Sequence, residues 1–134
     1  MKEPAVTAKL VQEINGVHGC YAKKRHSGKF QSGEPDITGC YCGHAFYIEV
    51  KMITGALTLL QAHQLEKWRD ARATVLVAVY NQADKKIKLI ELNETERWGD
   101  FIGSNKIKEL YDTSSTMCDT LSHFDFTCWF TQNF

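Results

Sequence analysis

The chain lacks most features that announce a compartment or a cofactor. No apolar run approaches the ~20 residues needed to span a bilayer, and the N-terminal stretch has no apolar h-region, so neither a membrane span nor a signal peptide is expected. No glycine-rich phosphate loop is present, which argues against a nucleotide cofactor and an ATP-driven activity. The five cysteines are an odd number without disulfide-framework spacing. Reduced thiols and a cytoplasmic, intracellular setting are the expectation. Net charge is missing too: 16 basic residues balance 16 acidic ones over 134 residues, so whole-chain electrostatics does not announce a polyanion partner. There is no repeat, low-complexity segment or linker, and the length suits one domain with a single core.

One local absence is informative. No Asp or Glu lies between Glu13 and Glu34, while Lys23, Lys24, Arg25 and Lys29 do. Residues 19–25 read as a short strand, and residues 26–34 (H-S-G-K-F-Q-S-G-E) as a polar, Gly-punctuated loop. Lys23, Lys24, Arg25, Ser27, Lys29 and Gln31 are the residue types that bind phosphate oxygens, and Phe30 can pack on a sugar or base. As a run without an acid it reads as a strip for a DNA backbone. For any single member, a plain solvated loop is an equal reading.

That strip leads into the stretch around which the chain is organised, residues 35–51, P-D-I-T-G-C-Y-C-G-H-A-F-Y-I-E-V-K. Two alternating runs, 37–41 and 45–52, flank the break Cys42-Gly43-His44, the pattern of a β-hairpin. With the turn at Cys42-Gly43, Asp36 falls directly opposite Glu49. Opposed residues have Cβ atoms only ~4.5–5.5 Å apart. One face then carries Asp36, Thr38, Tyr47, Glu49 and Lys51; the other, a core face, carries Ile37, Phe46, Ile48 and Val50. Opposed like charges destabilise a sheet, and a divalent cation between the carboxylates would relieve them. Spacing alone is equally satisfied by an edge hairpin with solvated charges. Cys40-x-Cys42-x-His44 has part of a zinc pattern but no second ligand pair, so small thiols around a tight turn are the preferred reading.

Asp36 after Pro35, followed by Glu49-Val50-Lys51 at the end of the next strand, resembles the PD-(D/E)XK nuclease signature. The surrounding Gly33-Glu34-Pro35-Asp36-Ile37, Phe46-Tyr47-Ile48-Glu49-Val50-Lys51, Gly55-Ala56-Leu57-Thr58 and Gln61 resemble its VRR-NUC branch and small phage-type relatives, which are similar to Holliday-junction resolvases. The similarity runs from about residue 3 to about residue 80. It implies a Mg²⁺ (or Mn²⁺) site made by Asp36, Glu49, the Val50 carbonyl and a first-helix glutamate, with Lys51 acting on the attacking water. Glu3 matches the family spacing for that glutamate.

Residues 4–15 read as a helix with Val6, Leu10 and Ile14 on one stripe. Taking Val6 as zero, Glu3 falls at ~60° and Glu13 at ~−20° around a 3.6-residue helix, so geometry admits both acids and only the resemblance favours Glu3. After the hairpin, Thr58-x-x-Gln61 is a capping box opening a helix over 59–72, with Leu60, Leu65 and Trp68 facing inward. Capping accounts for Gln61 fully; the resemblance places a glutamine here beside the active site. Residues 73–80 form a buried strand, parallel to 45–52 after the crossover, and 87–92 pairs with it. Asn93-Glu94-Thr95-Glu96 caps a further helix through about 102, residues 106–111 make another helical turn, and 124–130 alternates as a strand.

The order αβββαβ with C-terminal additions gives an α/β, three-layer core with a mixed sheet, in agreement with the restriction-endonuclease-like fold that the resemblance implies. The whole of 1–134 is one nuclease domain, with a core at about 3–92 and an extension at about 93–134. The function expected is a metal-dependent DNA endonuclease acting on branched or duplex DNA, most naturally Holliday junctions. A homodimer is expected, and the 124–130 strand either joins the home sheet or pairs with the partner copy. A nicking or restriction-type nuclease, and a non-catalytic DNA-binding module that keeps the fold, are the alternatives.

Overall fold

Cys42 and Gly43 both take positive φ, 47° and 89°, the type I′ reversal whose twist matches paired strands. The hairpin closes around it with Tyr41 opposite His44 and Ile37 opposite Ile48. The ring of Phe46 lies over Gly39, where a Cβ would meet it at 2.3 Å; glycine there lets the core close against the strand. The computed structural model that shows this describes residues 1–25, 33–114 and 123–134. Ser27, Lys29, Phe30 and Gln31 lie outside the described residues.

The elements are α1 (Glu3–Asn15), β1 (Cys20–Lys24), β2 (Ile37–Tyr41), β3 (His44–Met52), α2 (Leu59–Asp70), β4 (Thr74–Asn81), β5 (Lys86–Ile90), a 3₁₀ turn (Trp98–Phe101), α3 (Lys106–Thr113) and α4 (His123–Asn133). The strands form one mixed sheet in the order β1-β2-β3-β4-β5. β3 and β4 run parallel, and the other neighbours are antiparallel. A helix-length crossover between β3 and β4 makes that parallel pair possible.

Alternation along the strands sorts the sheet into two faces. Ile37, Phe46, Ile48, Val50, Leu76 and Ala78 pack with Val6, Leu10 and Ile14 of α1 and with α4. Val75, Val77, Val79 and Ile90 pack under α2, the 3₁₀ turn and α3. The fold is therefore the expected three-layer α/β sandwich with a mixed sheet.

Three expectations are corrected. First, the tail is a helix, not a strand. Phe126, Trp129 and Phe130 are buried, Phe134 packs against the same core, and Cys128 is exposed. Spacings of three and four put the aromatics on one helical stripe, and the ring of Phe130 sits 5.3 Å from both Tyr41 and Phe46. The apolar surface assigned to a strand-paired homodimer is thus used within the chain.

Second, the capping bonds at Asn93 form without a helix following. Glu96 N–H donates to Asn93 Oδ1, and Asn93 N–H to Glu96 Oε1, each at 3.2 Å. The backbone then extends at Arg97. Burial of Trp98 takes over: Glu66 of α2 accepts from Trp98 N–H at 2.6 Å, and Arg69 donates to the Glu96 carbonyl at 2.6 Å and to the Asn93 carbonyl. Only the 3₁₀ turn remains. Third, Leu60 is exposed; Ala62 and Leu65 supply the buried face of α2, with Trp68 half-buried beside them.

Candidate active site

Extending the β2–β3 register by one residue places Asp36 opposite Glu49, and the side chains meet. Asp36 leaves β2 just before its first ladder residue and is held at both ends. Its carbonyl accepts from Arg25 N–H at 2.7 Å, and its carboxylate accepts from Val50 N–H at 2.8 Å. In an extended strand the Val50 carbonyl leaves on the same side as its N–H. It therefore faces the ground that β2 has just vacated.

Glu49 is 1% exposed, and its Oε2 has no hydrogen-bond partner. Burial raises its pKa to about 10, reinforced by a hydrogen bond with Asp36 and by the charges of Asp36 and Glu3, against the opposing pull of Lys51. Burial beside a second carboxylate therefore favours the neutral form of Glu49. Lys51, on the same face one alternation further along, is also buried. Burial of Glu49 and Lys51, with Asp36 half-buried beside them, sets this site apart from a solvated hairpin face.

Glu3 comes to the same place from α1. Burial raises its pKa, and so does the charge of Asp36; Lys51 and the Met52 backbone N–H work in the opposite direction. Glu13 is turned away and pairs with Lys9 at 2.8 Å. Gln61 completes the capping box, accepting from Thr58 N–H at 3.0 Å while its own N–H donates to Thr58 Oγ1 at 3.1 Å. The structure therefore brings Glu3, Asp36, Glu49, Val50 and Lys51 together and gives Gln61 its capping role.

The basic strip is divided by the sheet. The β1–β2 pairing sets Lys23 beside Thr38 and Lys24 beside Ile37, so Lys23 stands on the carboxylate face and Lys24 on the α1 face. Arg25 forms an ion pair with Glu34 at 2.5 Å. Glu34 also accepts from Trp68 Nε1 at 3.3 Å, and Trp68 stacks on Tyr47 at 4.2 Å. This Arg25–Glu34–Trp68–Tyr47 chain joins β1, α2 and β3 behind the carboxylates. Sequence reasoning missed it, since Glu34 and Trp68 are 34 residues apart and no local pattern links them.

Among the described residues, no group of three or more His, Cys, Asp or Glu side chains stands ready-made to hold a metal ion; Cys40, Cys42 and His44 are exposed around the turn. The donor chemistry at Asp36 and Glu49 still fits a hard divalent cation. It is all oxygen and anionic when ionised, and one buried carboxylate oxygen is left without a partner.

The fold and this geometry define an α/β sandwich that carries Asp36, Glu49 and Lys51 on one face of its mixed sheet. The chain is similar in structure to Hjc, a Holliday junction resolvase from the archaeal hyperthermophile Archaeoglobus fulgidus, with a TM-score of 0.53 and 19% identity. That match covers 78% of this chain and 97% of the resolvase. At such identity the likeness is one of fold. No protein-family model and no curated protein sequence matches the chain.

Proposed function

We propose that this protein is a divalent-metal-dependent endonuclease that hydrolyses phosphodiester bonds in DNA, with branched DNA as its preferred substrate. The observation that carries the proposal is the contact of half-buried Asp36 with buried Glu49, with an orphaned Glu49 oxygen and Lys51 beside it. A fold has no structural use for two opposed carboxylates under cover, because each loses hydration and repels the other. An active site has one.

Asp36, Glu49, the Val50 carbonyl and Glu3 would hold the ion, Mg²⁺ or Mn²⁺. When bound, it supplies Lewis-acid charge and a water more acidic than bulk. Val50 N–H fixes the Asp36 carboxylate so that its other oxygen stays available. Lys51 sets a positive charge where the phosphoryl group gains negative charge, in a site dry enough to strengthen it. Tyr47 and Trp68 wall the site on the α2 side and limit water. Cutting both strands of a symmetric junction needs two such sites, which a homodimer provides; its interface does not use the buried aromatic stripe of α4.

The test is cleavage of labelled four-way junction, flap, single-stranded and plain duplex DNA in parallel, with Mg²⁺ and with chelator. Metal-dependent cutting of the branched substrates ahead of plain duplex is expected. No cleavage of any of them by the pure protein would overturn the reading.

A further inference from the structure

The carboxylate face of the sheet is only partly roofed. α2 covers it over β3 and β4, where Trp68 stacks on Tyr47 and Leu65 packs with Val75 and Val77. Over β1 and β2, no described element covers it. Pairing puts Tyr21 beside Cys40 and Lys23 beside Thr38, and Cys40 in turn beside Ala45. These residues form a floor that ends at Asp36 and Glu49.

The floor's composition is informative. Between Tyr21 and Thr38 it carries one cation, Lys23, and no acid, and the Arg25–Glu34 ion pair and Asp36 border it. Tyr21 is 67% exposed, an unusual position for a large aromatic on a β-strand with a core-facing alternative. Its neighbour Ala22 is buried against α1, so the register that buries Ala22 holds Tyr21 outward. An open groove of about 620 Å³ wraps the β1 edge, lined from α1 by Val11 and Asn15 and from the sheet by Tyr21, Lys23, Arg25 and Thr38 among others. Tyr21 lies four residues along β1 from Arg25, which pairs with Asp36, or ~13 Å at strand rise.

We propose that Tyr21 and Lys23 form a platform for unpaired nucleotides next to the cleaved phosphate, Tyr21 stacking on a base and Lys23 meeting a backbone phosphate. This rests on the nuclease reading and deepens it, because it names what the site selects. A base in intact duplex has both faces stacked and cannot lie on Tyr21; one released at a branch, flap or gap can. Edge protection explains a lysine on β1, and it gives no reason for an aromatic beside it. Base–aromatic stacking tolerates any sequence, so the selection would be for strand state and not for sequence.

The experiment places the fluorescent base 2-aminopurine at successive positions around the branch of a flap substrate, bound to protein in an Asp36→Asn background that holds the DNA uncut. Quenching at an unpaired position is expected, retained in Tyr21→Phe and lost in Tyr21→Ala. Tyr21→Ala should also weaken binding of the flap by ~5–100-fold while leaving plain duplex binding unchanged. Lys23→Ala should flatten the log–log salt dependence by ~0.7. Equal weakening on flap and duplex, or quenching that persists in Tyr21→Ala, would overturn the platform. The two readings fail separately. Wild-type protein that quenches but never cuts removes the nuclease and keeps the platform; cutting with quenching untouched by Tyr21→Ala does the reverse.

Discussion

The two faces of the sheet obey different rules. Against α1 and α4 the buried surface of the described residues is aliphatic and aromatic; the buried Thr7 hydroxyl donates to the Glu3 carbonyl at 3.0 Å, and Trp129 Nε1 is left without a partner. Under α2 and α3, among the described residues, lie three buried charged ones, Glu49, Lys51 and Lys88. They divide again by whether the chain itself satisfies them. Lys88 donates to the carbonyls of Tyr111 at 2.5 Å and Ser114 at 2.8 Å, and sits 4.2 Å from the Tyr111 ring centroid. It closes the end of α3, where free carbonyls and the helix dipole favour a cation. Glu49 ends in an oxygen with no partner and a pKa near 10. Burial of charge alone therefore does not mark function. What sets Glu49 apart is a buried carboxylate without the chain's own partners; the other buried atoms without one among the described residues, Trp98 Nε1 and Trp129 Nε1, carry no charge.

The sharpest way to break that contrast is at the carboxylate–lysine set. Asp36→Asn and Lys51→Ala should each lower cleavage by at least ~10³-fold, with the fold kept as judged by circular dichroism and thermal midpoint. Near wild-type cutting by Lys51→Ala would return that lysine to a structural role like that of Lys88. On the apolar face the effect should fall on stability alone. Phe130→Ala removes a fully buried ring and should cost ~3–5 kcal/mol in urea unfolding, with cleavage retained well below the new midpoint.

The next contrast is within α1. Glu3→Gln should slow single-turnover cleavage by ~10²-fold, because Glu3 faces Lys51 and Asp36. Glu13→Gln, at a carboxylate paired with Lys9, should change it by less than about twofold, in line with the small worth of such pairs. The reverse order would transfer the site's fourth acid to Glu13.

The smallest effect is a pH dependence. The folded pKa of Glu49 stands above its unfolded value, so the stability it permits is complete below about 4.5 and is lost as pH rises toward about 10. In chelator, wild-type protein should lose stability as pH rises through that window, and Glu49→Gln should lose less. Urea melts at pH 5, 7 and 9 measure it. Parallel curves for the two proteins would show that Glu49 is not the destabilising group.

Much of this was legible because the signals are local. The Cys42-Gly43 reversal, strict alternation on either side and the Thr58/Gln61 capping box involve residues close in sequence, and each formed where its pattern placed it. From the turn alone, a two-residue period carries Asp36 to its position opposite Glu49 without knowledge of any other element. The misreadings were decided at longer range. The alternation Phe124, Phe126, Cys128, Phe130 satisfies a strand, yet Trp129 has to be buried as well, and only the face shared by α1, Tyr41 and Phe46 could take Phe126, Trp129 and Phe130 together on a helical stripe. The capping pattern at Asn93 is sound in itself; Glu66 and Arg69, more than 20 residues earlier, claimed the backbone groups that a helix would have used. The choice between Glu3 and Glu13 belongs to the same class. Both lie on the helix stripe that the sequence determines, but which end of α1 meets Asp36 depends on how the helix docks across the sheet. That docking is set by Val6, Leu10 and Ile14 fitting against Ile48, Val50 and Phe130, a matter of shape that no local pattern records.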